Sequence, residues 1–124
     1  VPAFFNDRVL DNGLTVLDTE ATHLHICSNQ PTTFAQATST LSLGNKASIS
    51  VGAPADGTTS GRRVTVAALT GGNVTATGTA THYALVDATN SRLLATHTLS
   101  ESQVVTSGNL FDVAAFDITQ PDPL

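Results

Sequence analysis

Short apolar runs recur along the chain, separated by clusters of Gly, Asn, Asp, Ser and Thr. The stretch from Thr79 to Asp117 shows this most clearly. Tyr83 and Leu85 lie in one apolar run and Leu93, Leu94 and Ala95 in the next, with Asp87-Ala88-Thr89-Asn90-Ser91 between them. Side chains of that kind close a turn by bonding to nearby backbone, so the pattern predicts a β-hairpin. A second connection, Thr106-Ser107-Gly108-Asn109, leads into Leu110–Phe116. That run is β-rich and mostly apolar and reads as a central strand. Together the three runs predict a β-meander that supplies one face of a core.

The rest of the chain follows the same alternation after a different beginning. Val1 to Phe5 form an apolar arm. Asn6 suits an N-cap, and Asp7 suits the first turn of a helix. Val9, Leu10, Leu14 and Leu17 recur at helical spacing, which predicts one amphipathic helix from Asp7 to about Thr19. Gly13 weakens it by about 1 kcal/mol relative to Ala. The competing reading is two short strands about an Asn12-Gly13 turn.

His23-Leu24-His25-Ile26-Cys27 alternates as a strand, with Leu24 and Ile26 on one side and His23, His25 and Cys27 on the other. Thr32 is placed to cap a short helix through Phe34, Ala35 and Ala37. Leu41–Leu43 comes next, then a turn at Gly44-Asn45-Lys46 and a strand at Ser48–Val51. Gly52–Gly61 consists of turn formers. Arg63–Leu69 reads as a strand, Gly71-Gly72-Asn73 as a turn and Val74–Thr79 as a further strand. The tail Gln120–Leu124 holds Pro121 and Pro123 and cannot extend a strand.

The predicted fold is therefore mainly β. It is an antiparallel β-sandwich, jelly-roll or Ig-like, of about seven or eight short strands with a short N-terminal helix. One domain covers residues 1–124, with an arm at 1–5 and a tail at 120–124.

Charge narrows the choice of partner. Five basic residues against ten acidic ones leave a net charge of -5, and Arg62-Arg63 is the one basic cluster. Nucleic-acid binding needs a dense basic surface, so no nucleic acid is expected as a partner. Charged residues make up 12% of the chain, about half the usual share, and Thr and Ser fill the gap. Such a surface costs little to desolvate and suits packing against other subunits. Cys27 is the lone cysteine, so the fold makes no internal disulfide. No apolar run approaches the roughly 20 residues of a bilayer span, no secretion signal is evident, and no membrane partner is expected. Val1 reads as the residue left after removal of an initiator Met.

Candidate chemistry is sparse. His23 and His25 share a strand face, about 7 Å apart at two strand rises, with Cys27 as a third group. If Asp87 pairs with Arg92, the same register sets His82 opposite His97. Two-ligand pairs fall short of the four that structural zinc wants, so no metal or other cofactor is expected. Gly57-Thr58-Thr59-Ser60-Gly61 is not a nucleophile elbow, because Ser60 directly precedes Gly61 and a strand. Asp11, Asp18, Asp56, Asp87, Asp112 and Asp117 are scattered, and the chain is read as having no catalytic site. A sugar-stacking platform needs exposed aromatics, but the chain has no Trp and its one Tyr, Tyr83, lies in a core-like run.

Several motifs are more distinctive. Cys27-Ser28 is followed by Pro31 and Ala37; Ser60-Gly61-Arg62 leads into Val64-Thr65-Val66; and Gly78-Thr79-Ala80, His82 and Ala84-Leu85-Val86-Asp87 precede Ser91-Arg92-Leu93-Leu94. In these the chain resembles a family of small virion-associated structural proteins of tailed bacteriophages and prophages. The resemblance spans most of the chain except the first few residues and Leu41–Ser60. It implies a virion location, a structural role, other virion proteins as partners and assembly as a homo-oligomer; the absence of catalytic motifs is what argues against an enzyme. A capsid-associated role, as decoration, cement or head-fibre base, is the leading expectation. A tail, baseplate or tail-fibre adaptor comes next, and a receptor- or carbohydrate-binding module is the alternative of another class. For docking on neighbouring subunits, the apolar arm and the proline-containing tail supply the expected partner-binding residues: Val1, Pro2, Phe4 and Phe5 in the arm and Pro121, Pro123 and Leu124 in the tail.

Overall fold

A computed structural model describes residues 7–121. It contains one α-helix, α1 (Asp7–Glu20), and nine strands: β1 (His23–Cys27), β2 (Ser42–Ala47), β3 (Ala55–Asp56), β4 (Arg62–Val66), β5 (Leu69–Val74), β6 (Gly78–Asp87), β7 (Arg92–Val105), β8 (Leu110–Val113) and β9 (Phe116–Gln120). A π-helical turn at Gln36–Thr40 links β1 to β2. Every strand pair is antiparallel. Six strands form a curled sheet in the order β7-β6-β1-β2-β5-β8, and three form a second sheet in the order β3-β4-β9. The fold is mainly β with one N-terminal helix, as the patterning predicts.

The core fills the space between the sheets. Leu14 and Leu17 of α1 join Leu24 and Ile26 of β1, Val64 and Val66 of β4, and Leu85 of β6 in one buried cluster. Fully burying one such side chain is worth roughly 1.5–3 kcal/mol. A smaller cluster lies on the opposite face of the six-stranded sheet, where Cys27, Ala84 and Val86 pack against Ala37, Phe34 and Leu41 around the π-helical turn. β1 is thus covered on both faces. Its alternation survives as two different apolar environments instead of one buried and one wet face.

Local chemistry closes the connections. The Asp87 carboxylate accepts the backbone N–H groups of Thr89 (3.0 Å) and Asn90 (3.3 Å) and the Asn90 side-chain amide (2.8 Å). These bonds, led by the Asn90 amide, hold its pKa below the usual carboxylate value. Ser91 takes a left-handed conformation at φ 55°. Before the π-helical turn, the cap is Thr33, not Thr32: the Gln36 N–H donates to Thr33 Oγ1 (3.2 Å), while Gln36 Oε1 receives the Thr32 N–H (2.8 Å).

Several turns and strands differ from the sequence reading. Gly44-Asn45-Lys46 is the middle of β2, and Gly71-Gly72-Asn73 lies inside β5. Glycine here permits backbone contact and does not mark a reversal. A Cβ on Gly44 would fall on the Asn73 carbonyl oxygen across the β2–β5 pair, and one on Gly72 would enter the Phe111 ring of β8. Ser48–Val51 is no strand. Ser48 has φ 57°, and only Val51 makes an isolated bridge, to Val66.

Arg63–Leu69 divides at Ala67-Ala68, where the chain leaves the small sheet for the large one. The run Leu110–Phe116 is not a central strand. It splits into β8 at an edge of the large sheet and β9 in the small sheet. The meander therefore ends at the β6–β7 hairpin, because β8 pairs with β5 and not with β7. Of the arm and tail residues, Pro121 is exposed just beyond β9. Val1, Pro2, Phe4, Phe5, Pro123 and Leu124 lie outside the described residues.

The close approach at Gly44 makes a specific demand. Gly44→Ala should force β2 and β5 apart and destabilise the protein by about 1–3 kcal/mol. Urea unfolding followed by circular dichroism measures this, and an unchanged midpoint would mean that the two strands can separate freely.

Candidate functional site

The two edges of the curled sheet, β7 and β8, come close together without pairing. Between them lies a groove of about 230 Å³, with Ile26 and Ala80 in its floor, Leu99 to Val105 along one wall and Phe111 to Ala114 along the other. It shares Leu99, Ser100, Val113 and Ala114 with a second hollow of about 470 Å³, which extends to Tyr83, His97 and Phe116.

An irregularity in β7 opens this groove. Thr98 pairs with His82 and Gln103 with Ala80, so the four residues Leu99–Ser102 stand opposite Thr81 alone. One residue offers at most one N–H and one C=O to a neighbour, so the arch has more backbone donors and acceptors than β6 can satisfy. Bulges of this sort concentrate where an edge is put to use.

A second bulge decides the histidine question. Asp87 does pair with Arg92, but Val86 opposes Leu93 while Leu85 opposes Ala95, so Leu94 is an extra residue. The register moves by one, which turns the following side chains to the other face. His82 therefore opposes Thr98, and His97 opposes Tyr83. The His82–His97 pair of the sequence reading does not form. His97 instead stacks on Tyr83 with ring centroids 6.5 Å apart, and the Phe116 ring tilts against Tyr83 at 4.6 Å. Tyr83 is half-buried at the groove, and burial raises the pKa of its phenol. A regular hairpin register, read from the turn alone, could not have shown this.

His23 and His25 are neighbours as expected, with rings 6.3 Å apart. They turn to different partners: His23 Nδ1 meets Thr22 Oγ1 at 2.8 Å, and His25 Nδ1 meets Ser42 Oγ at 2.9 Å. Cys27 is fully buried, with its thiol directed at the Ala37 carbonyl (3.7 Å), and burial pushes its pKa up to about 11. Such a thiol is inert. Among the described residues, no three His, Cys, Asp or Glu side chains are placed to hold a metal ion.

Arg62 and Arg63 are each paired with an acid. Arg62 bonds Asp56 at 2.6 Å, and Arg63 bonds Asp117 at 2.7 Å. Thr65 Oγ1 donates to the second Asp117 oxygen at 2.7 Å. These bonds, with that of Thr65 foremost, lower the Asp117 pKa. Asp112 accepts the Gly71 N–H at 3.0 Å across the β5–β8 pair. Asp112 and Asp117 thus serve separate strand contacts.

The groove is chemically an apolar slot with an acidic rim. Its charged lining groups are Glu101, Asp112 and Asp117, with His97 as the one basic side chain. Unpaired strand edges and alternating apolar walls suit an extended peptide segment. Gly52–Gly61 and Asp87–Ser91 line neither hollow. Comparisons of the chain with protein-family models, with curated proteins and with solved structures found no match.

The His25 environment has a measurable consequence. Burial, reinforced by the His23 charge, lowers its pKa from 6.5 to about 4. Between those values the unfolded chain takes up a proton that the folded chain refuses. The contribution is therefore complete above pH 6.5 and lost as pH falls toward 4. Melting temperature should drop from pH 6.5 to 5, and His25→Gln should drop less over that interval. Equal slopes would place the His25 ring in solvent.

Proposed function

We propose that this protein is a structural component of a tailed-phage particle that acts by packing against other subunits and performs no catalysis. The leading assignment is a capsid-associated protein, as decoration, cement or head-fibre base. A tail or baseplate adaptor is the next. The observation that carries the packing role is the groove between two unpaired sheet edges, beside the irregular Leu99–Ser102 stretch of β7. Monomers normally protect such edges because they recruit other chains.

Three further features support the reading. The sequence motifs resemble those of virion-associated proteins. Val104 is 79% exposed and Leu110 66% exposed at the end where β7 turns toward β8. Both are open to pack against a partner. The scaffold is closely packed, since both faces of β1 are covered. The apolar arm and the proline-containing tail extend this picture as candidate contacts with neighbouring subunits.

One observation favours a second reading, a receptor- or carbohydrate-binding module. The Tyr83, His97 and Phe116 rings gather at a groove instead of disappearing into the core. Sugar rings stack on such surfaces. Titration with monosaccharides against Tyr83 fluorescence tests it directly.

Purified particles should contain the protein. Hundreds of copies over the shell, weighed against the major capsid protein, indicate decoration or cement, whereas a few copies at one vertex indicate a tail or fibre-base role. Its absence from particles would defeat the structural reading. Val104→Ser with Leu110→Ser should lower incorporation several-fold while leaving the melting temperature nearly unchanged, because surface substitutions cost about 0.5 kcal/mol or less.

A further inference from the structure

We infer that His23 and His25 form a two-histidine chelate for a divalent transition-metal ion, with Nε2 of each ring as the ligand and the remaining coordination positions left to water. The inference does not depend on the virion role proposed above.

Strand geometry puts the two rings together. His23 and His25 are two residues apart on β1, so their side chains leave the same face of the large sheet. Their ring centroids are 6.3 Å apart, with the planes tilted by 34°. Bonds from zinc to imidazole nitrogen are about 2.0–2.1 Å long. Two such bonds and a ring radius at each end just span that separation, and a bent site draws the rings slightly together. His23 is the less buried of the two and makes this adjustment.

Hydroxyl groups decide which ring nitrogen is free. The Thr22 hydroxyl donates its one proton to the Val86 carbonyl (3.2 Å) and accepts the Ala88 N–H (2.9 Å). Its remaining lone pair faces His23 Nδ1 at 2.8 Å, so that nitrogen carries the ring proton. Ser42 repeats the arrangement. Its Oγ has the Gly44 carbonyl at 3.4 Å as an acceptor and takes the Nδ1–H of His25 at 2.9 Å. Both Nε2 atoms are then bare lone pairs. A hydrogen bond at one ring nitrogen that orients the ring and fixes its tautomer is the usual support of a metal-bound imidazole. Neither Nε2 is sealed away from water without a partner; among the described residues, the one side-chain nitrogen or oxygen so placed is Arg63 Nε.

The donor set selects the ion. No third His, Cys, Asp or Glu joins the pair among the described residues. Two neutral imidazoles without a carboxylate suit zinc, copper or nickel, and not magnesium or calcium. Burial keeps His25 unprotonated down to about pH 4, so at neutral pH no proton holds its Nε2. Cys27 shares the strand face, but its thiol is directed at the Ala37 carbonyl and burial keeps it protonated. Two protein ligands make an open, exchangeable site instead of a closed structural one.

Titration of zinc chloride into the full chain, followed by calorimetry, tests the chelate. One zinc per chain is expected, and His23→Gln should weaken binding at least ten-fold. His82→Gln with His97→Gln removes the other two histidines and should leave binding unchanged. Nitrogen NMR of the unsubstituted chain gives a readout that does not depend on any variant folding. Zinc should shift the Nε2 resonances of both His23 and His25 while their Nδ1–H protons persist. No zinc uptake, uptake indifferent to His23→Gln, or uptake lost with His82 and His97 would each overturn the chelate. A zinc-induced shift confined to one of the two rings would overturn it as well.

Discussion

The structure depends on β1 being buried from both sides. It pairs with β2 and β6, and its two faces meet two separate apolar clusters. A strand in that position demands cover above and below. The core side is filled by α1 and the three-stranded sheet, and the other side by the short segment around the π-helical turn. The large sheet bends around the filling, because Leu14, Leu17, Val64 and Val66 occupy a volume that a flat sheet would leave wet. Bending carries β7 and β8, the two ends of the sheet, toward each other.

The ends meet without closing, and side-chain and backbone geometry explain why. On the β8 side, glycines at 44 and 72 let backbone and the Phe111 ring approach closely, so β2, β5 and β8 pack tightly. On the β7 side, four residues face one, and the strand bows away from β6. Tyr83, His97 and Phe116 gather beside the opening. A closed barrel would have no edges to manage. The large sheet retains two, and their shared apolar groove is its distinctive surface.

Charge has a structural part in this molecule. Arg62, Arg63 and Arg92 each find an acid, at Asp56, Asp117 and Glu20. Exposed pairs of this kind are worth little individually, about 0–1 kcal/mol. Their effect here is to hold β3, β4 and β9 in register and to tie the end of α1 to the start of β7.

Much of the fold was legible in the residues. Helical spacing of Leu14 and Leu17 located α1, strict alternation located β1, and Asp87–Ser91 located the main hairpin, because each depends on interactions within a few residues of chain. Tertiary structure decided the rest. Gly44 and Gly72 look like turn residues, yet each lies in a strand, since the same missing Cβ that permits a reversal also permits a close neighbour, and Gly71 takes a left-handed φ of 71° at the irregularity in β5. Leu110–Phe116 reads as one apolar strand, and only the bending of the large sheet divides it between two layers. The groove depends on two bulges, at Leu94 and at Leu99–Ser102. No local pattern encodes a bulge whose cause lies in how β7 must follow a bent partner. The sequence by itself determined the elements and their apolar faces; the packing of one sheet around the other decided which edges were left open.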